Sequence, residues 1–115
     1  MKIDYEYLRK ELLTIQKEIE SNDSPTLEYV FAELSESDDP EDLKKYFHIS
    51  KMVELGYLNG DSISYSTITS DGYKFLDLTK DNACWEKVKS LLYSMGETAL
   101  NTSLQNILSQ LTELL

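Results

Sequence analysis

Apolar residues recur at helical spacing in several blocks of this chain, and one stretch of alternation with a turn signal separates them. Tyr5, Leu8, Leu12, Ile15 and Ile19 fall three and four apart, which predicts a helix over Ile3 to Glu20 with a single apolar stripe. Asp4 is placed to cap its start, and Glu6, Arg9, Lys10, Lys17 and Glu18 fall on the other side. The run SNDSP from Ser21 to Pro25 is turn chemistry. Thr26 to Leu34 fits two templates. Leu27, Val30, Phe31 and Leu34 suit a helix capped by Ser24 with Pro25 in its first position, whereas Leu27, Tyr29 and Phe31 alternate as in a strand.

After an acidic loop from Ser35 to Pro40, a second helix is expected over Glu41 to Leu55, with Asp39 as cap and Pro40 at its start. Leu43, Phe47, Ile49, Met52, Val53 and Leu55 supply its apolar side, and Gly56 ends it by taking a left-handed conformation cheaply. Lys44, Lys45, His48 and Lys51 recur along another face. Asn59-Gly60 is a strong hairpin signal, because a type I′ turn needs positive φ at both positions. Tyr57-Leu58 and Ile63 to Ile68 are the expected paired strands.

Thr69 then caps a short helix bearing Tyr73, Phe75, Leu76 and Leu78. Asp81 or Asn82 starts another that buries Trp85, Val88 and Leu92 and stops at Gly96. From Thr98 to Leu115 the leucines repeat along a single face with almost no charge opposite. Helix, two-stranded ribbon and returning helix in that order predict an α+β, mainly helical fold: a winged helix-turn-helix with a short β-hairpin wing and added C-terminal helices. The expected organisation is a winged-helix domain over residues 1–96, followed by a leucine-rich helix over 97–115 that packs on it or forms a dimer seam.

Charge changes the functional picture. The 115 residues carry a net charge of −10. Ten acids and no Lys or Arg lie between Glu18 and Asp42, leaving eleven of the 21 acids against all eleven bases in the rest of the chain. This acidic quarter is either a solvated face that aids solubility or a surface that repels nucleic acid and meets a basic partner. Arg9 is the lone arginine, and arginine is the side chain best fitted to bidentate contacts with bases and phosphates. No apolar run approaches the ~20 residues that span a bilayer. The lone Cys84 suits a reducing compartment. A soluble, cytoplasmic protein with no membrane association is expected.

The segments FHISKMVELGYL and TSDGYKFLDLTKDNACW resemble the uncharacterised winged-helix-like proteins of bacteriophages, prophages and other bacterial mobile elements, a domain family of unknown function. The likeness runs from Tyr5 to Leu13 with Arg9 and Lys10. It continues through Phe47, His48, Glu54 and Gly56, then Thr69, Gly72, Phe75, Leu76, Asp77, Asp81 and Trp85. It extends to the leucine-rich end. Two departures are a shorter wing and a more acidic stretch from Thr26 to Asp42. The resemblance implies an extended conformation for Thr26 to Leu34, and it brings no catalytic residues.

Catalytic and metal chemistry find little footing. Structural zinc wants four Cys or His ligands, and this chain has one of each, His48 and Cys84. The SESDDPED cluster lacks the alternating oxygens and mid-loop glycine of a calcium loop, and no glycine-rich phosphate cradle or nucleophile elbow is present. No enzyme activity, metal or cofactor is therefore expected. Trp85, Phe75 and Tyr73 are read as core anchors, and His48 as either a half-exposed hydrogen-bond donor or a contact residue. The candidate contact face is Lys44, Lys45, His48, Lys51 and Tyr65, and the candidate dimer face is Leu104, Ile107, Leu108, Leu111 and Leu115.

Two functions compete. One is a regulatory protein-binding module suited to a basic partner, with a homodimer as the option the terminal leucines offer. The other is a DNA-binding transcriptional regulator using residues 41–55 as recognition helix. A sequence pI of about 4.4, with Glu41, Asp42 and Glu54 on that helix, weighs against the second. If the terminal leucines form a dimer seam, Leu104→Asp with Leu111→Asp converts a dimer to a monomer in size-exclusion chromatography with light scattering. An unmodified chain that already runs as a monomer rejects the seam.

Overall fold

The computed structural model describes residues 2–22 and 28–95, with the side chains of 94 and 95 left aside. Within them the fold is α+β and mainly helical. Helix α1 spans Tyr5–Ser21, strand β1 Tyr29–Val30, a 3₁₀ turn Ala32–Glu36, and α2 Pro40–Glu54. Strands β2 (Leu58–Gly60) and β3 (Ser64–Ile68) follow, then α3 (Ser70–Thr79) and α4 (Asn82–Met95). The three strands form one antiparallel sheet in the order β1-β3-β2. Ser24, Pro25 and Leu27, the expected cap, first position and first apolar residue of the Thr26 to Leu34 segment, and the whole leucine-rich segment 97–115 lie outside the described residues.

Local chemistry sets most boundaries. Asp4 caps α1 by accepting from the Tyr7 N–H at 3.1 Å. Asn22 closes the other end, donating to the Glu18 carbonyl at 2.9 Å and to the Tyr29 hydroxyl at 2.8 Å, which ties the helix end to β1. Asp39 accepts from Glu41 N–H, and Pro40 opens α2. Tyr5, Leu8, Leu12 and Ile15 are buried along one stripe of α1, as the spacing predicted, and Trp85, Val88 and Leu92 are buried along α4. These side chains meet Ile49, Met52, Tyr57, Ile68 and Phe75 in one continuous core.

The end of α2 is held by a reciprocal set of backbone bonds. The Tyr57 N–H reaches the Met52 carbonyl at 2.8 Å and the Gly56 N–H reaches Val53 at 3.1 Å, the two bonds of a Schellman motif. Gly56 supplies the required left-handed residue at φ 80°. Both carbonyls of this reversal are then taken by Thr69, whose hydroxyl donates to the Gly56 carbonyl and whose N–H donates to Tyr57 at 3.0 Å. The same hydroxyl accepts from the Gly72 N–H at 3.0 Å, capping α3. A Cβ at Gly72 would collide with the Tyr57 carbonyl and Ile68, so the Thr-x-x-Gly spacing is both a cap and a close approach.

Three expectations need correction. Asn59 and Gly60 do not form the turn; they lie in β2, and Asn59 pairs with Thr67. The reversal falls at Asp61, whose carboxylate accepts from the N–H groups of Ile63 (2.8 Å) and Ser64 (2.9 Å), while its own N–H donates to the Ser64 carbonyl. This side-chain turn outcompetes the type I′ alternative two residues earlier. Gly60 is needed for another reason: a Cβ there would strike the Ser64 carbonyl and approach Tyr65 Cα to 2.8 Å.

Among the described residues, the stretch before α2 pairs as strand over Tyr29–Val30, then tightens into the 3₁₀ turn that takes in Ser35 and Glu36 of the expected loop, and none of it is α-helical. Tyr73 is 39% exposed rather than a core anchor, because Phe75 and Leu76 occupy the inward side of α3.

The double role of the Thr69 hydroxyl gives a measurable expectation. Thr69→Val keeps the shape but strands the Gly56 carbonyl and the Gly72 N–H, and should cost about 1–2 kcal/mol in urea unfolding with an unchanged slope. Thr69→Ser should recover most of that loss. Equal midpoints for all three proteins would show that the hydroxyl contributes nothing.

Candidate functional site

Helix α2 carries most of the predicted contact residues, and packing divides them between two environments. On the side facing the start of α1, His48 is 1% exposed. The Asp4 N–H donates to its Nε2 at 2.9 Å, and its Nδ1 lies 2.8 Å from the Lys44 carbonyl. An acceptor at Nε2 requires the proton on Nδ1, so a neutral imidazole with Nδ1–H donating to Lys44 satisfies both bonds. The rings of Tyr7 and Phe47 flank it, with centroids 4.7 and 5.1 Å away. Both sequence readings of His48 underestimated its burial; of the two, the hydrogen-bonding role is the one the geometry contains.

The neighbouring lysines are engaged. Lys44 Nζ lies 3.4 Å from the Asp4 carboxylate and 4.6 Å from the centre of the Tyr7 ring. Lys51 pairs with Glu54 at 3.1 Å and lies over Phe47 at 5.5 Å. Such half-exposed pairs contribute little to stability, about 0–1 kcal/mol each. They do occupy the cations a polyanion would need.

Lys45 points elsewhere. It lines an open concavity of about 360 Å³ between the later turns of α1, β1, the 3₁₀ turn and α2. Tyr65 also belongs to that region rather than to an exposed wing. It is 6% exposed and stacks on Tyr29, with centroids 5.1 Å apart and planes 14° apart. Burial, then the nearby Glu18 carboxylate, pushes its phenol well above the ordinary range. The five predicted contact residues therefore do not share a face. Lys44, His48 and Lys51 fall on one side of α2, Lys45 and Tyr65 on the other. The predicted dimer face, Leu104, Ile107, Leu108, Leu111 and Leu115, lies outside the described residues.

A cluster where α4 meets the start of α1 escaped the sequence reading. Glu6 accepts from the Trp85 indole N–H at 2.9 Å and from Lys89 at 2.7 Å, while the Arg9 guanidinium sits 5.3 Å above the Trp85 ring. The hydrogen bond from Lys89, followed by that from Trp85, lowers the Glu6 pKa. The lone arginine thus stacks on a core tryptophan and helps fasten α4 to α1. Glu6 sits on the polar side of α1 by periodicity, and nothing in its local spacing announces a partner 79 positions away.

Among the described residues no group of three or more His, Cys, Asp or Glu side chains could hold a metal, and no helix is long and apolar enough to cross a membrane. Comparisons with protein-family models, curated proteins and solved structures find no match to this chain.

Burial holds the His48 pKa below its ordinary 6.5, outweighing the bond to the Lys44 carbonyl and the attraction of Asp4. A depressed basic group is neutral in both folded and unfolded chains above pH 6.5. As pH falls from 6.5 toward the folded value, the unfolded chain takes up the proton first and stability drops. Urea midpoints should therefore decline across that window, and His48→Gln should flatten the decline. An unchanged slope in the variant would remove His48 from the account.

Proposed function

We propose that this chain is a non-enzymatic winged-helix docking module of the phage and mobile-element type, regulatory through protein binding, and that its work is contact rather than bond-making. The fold reading rests on element order and strand order together. A first helix, a short strand, a helical turn, a second helix and a two-stranded ribbon follow one another, and the short strand adds to the far side of the ribbon to give β1-β3-β2. That order supports reading α2 as the counterpart of a winged helix's recognition helix.

The preference for protein over DNA is carried by one observation: each lysine on the basic side of α2 has a carboxylate beside it that would repel a phosphate. Lys44 is held by Asp4, Lys51 by Glu54, and His48 is buried and neutral. Neutralising even roughly six phosphates asks for a cation-rich face. Here Glu41 and Asp42 occupy the first turn of the same helix, and the whole chain carries −10. An acidic module of this kind suits a basic partner surface, including one that otherwise meets nucleic acid. A homodimer through the segment 97–115 is compatible with this reading and is tested by the leucine substitutions above.

The alternative, a transcriptional regulator reading DNA with α2, is favoured by the position of that helix before the ribbon. Gel-shift titration with random and operator-like duplexes at ~50 mM salt separates the two. The docking reading expects no salt-sensitive complex. Salt-sensitive binding that Lys44→Glu with Lys45→Glu abolishes would replace it with the DNA reading.

A further inference from the structure

The concavity between α1, β1, the 3₁₀ turn and α2 has the chemistry of a receptor for part of another chain. Tyr29, Phe31, Ile49 and Tyr65 line it, so much of its wall is aromatic and aliphatic. Val30, beside them, is 57% exposed, an uncovered apolar side chain at the mouth. Its volume of about 360 Å³ falls at the lower end of the roughly 300–1,000 Å³ usual for ligand sites. That is room for one or two side chains, not for a domain.

Charge at the mouth selects the visitor. Glu18 on α1 and Glu33 on the 3₁₀ turn both line the opening and are exposed. Lys45, the cation among the lining residues, lies within Coulombic reach of Glu11 on the facing helix. Glu18 and Glu33 both belong to the stretch of sequence from Glu18 to Asp42 that carries ten acids and no Lys or Arg. The opening also lies along β1, one of the two edge strands of the sheet. A sheet edge offers backbone hydrogen bonds to an extended segment, with alternate side chains aimed into a pocket.

We propose that this cleft receives a short extended segment of a partner protein, one in which lysine or arginine residues flank an aliphatic or aromatic anchor. The proposal rests on the docking reading above and adds the site and the chemistry of its occupant. The anchor packs on Tyr29, Val30 and Leu34 above the buried Phe31 and Ile49, the cations face Glu18 and Glu33, and the backbone runs beside β1. The chain's overall negative charge speeds encounter, while the apolar pocket separates a fitting segment from any polycation.

The test uses the full chain, ¹⁵N-labelled, titrated with a short amidated peptide alternating lysine with leucine. Two analogues replace every lysine by glutamate or every leucine by glycine. Amide shifts should concentrate at Glu18, Tyr29, Val30 and Glu33, and both analogues should bind about tenfold or more weakly. Glu18→Lys with Glu33→Lys should weaken binding by a similar factor at an unchanged urea midpoint, and Val30→Asp should do so by blocking the anchor. Equal binding of the lysine-glycine peptide overturns the proposal, since charge alone would then suffice. Shifts on another face overturn the cleft but leave protein docking standing. No shift with any peptide, together with salt-sensitive duplex binding, overturns both.

Discussion

One threonine hydroxyl, at the junction of helix α2, the sheet and helix α3, fixes how the central elements meet. Thr69 donates to the Gly56 carbonyl, accepts from the Gly72 N–H, and its own N–H reaches the Tyr57 carbonyl. The chain thereby closes the left-handed end of one helix and opens the next with a single residue. Both carbonyls are exits from a Schellman reversal, and neither has a partner further along α2. Because Leu58 pairs with Ile68, the ribbon delivers Thr69 to that reversal each time the strands register correctly. Helix end, strand register and helix start are thus coupled.

Two side-chain ties extend the junction to the first helix. His48 reaches from α2 to the Asp4 N–H, one residue before α1 begins, and Trp85 reaches from α4 to Glu6 one residue after it begins. The start of α1 is therefore held from two directions, with the Tyr93 hydroxyl accepting from the Tyr5 N–H between them at 3.3 Å. On the opposite side, the later turns of α1, β1, the 3₁₀ turn and α2 frame the concavity lined by Tyr29 and Tyr65, with Glu18 and Glu33 at its opening. The end that carries the buried imidazole ties α2 to the start of α1.

Helix boundaries were legible because their chemistry is local. Asp4, Asp39 with Pro40, Gly56 and Thr69 each announce an end within a few residues, and the structure places the ends there. The turn was misread because two local signals competed, and the carboxylate of Asp61 with two backbone N–H partners prevailed over Asn59-Gly60. Tyr65 was misplaced for a related reason. Simple alternation puts Tyr65 and Ile68 on opposite faces, yet both are buried, because the register shifts between Asn59 and Gly60 and leaves Ser66 as the extra residue. The contact face failed on a longer-range problem. Periodicity sorts α2 into stripes, but which stripe meets α1 and which meets the sheet depends on packing, so Lys44 and His48 face the Asp4 cap of α1 while Lys51 pairs with Glu54 on its own helix.

With helix end, strand register and helix start coupled, the Thr69 junction should open with the global core rather than as a local clasp. Native-state hydrogen exchange of the full chain tests this most directly. The amides of Tyr57, Thr69 and Gly72 should exchange as slowly as those of Leu12, Met52 and Val88, opening only with the whole fold. Fast exchange at those three amides while the helical core stays protected would contradict it.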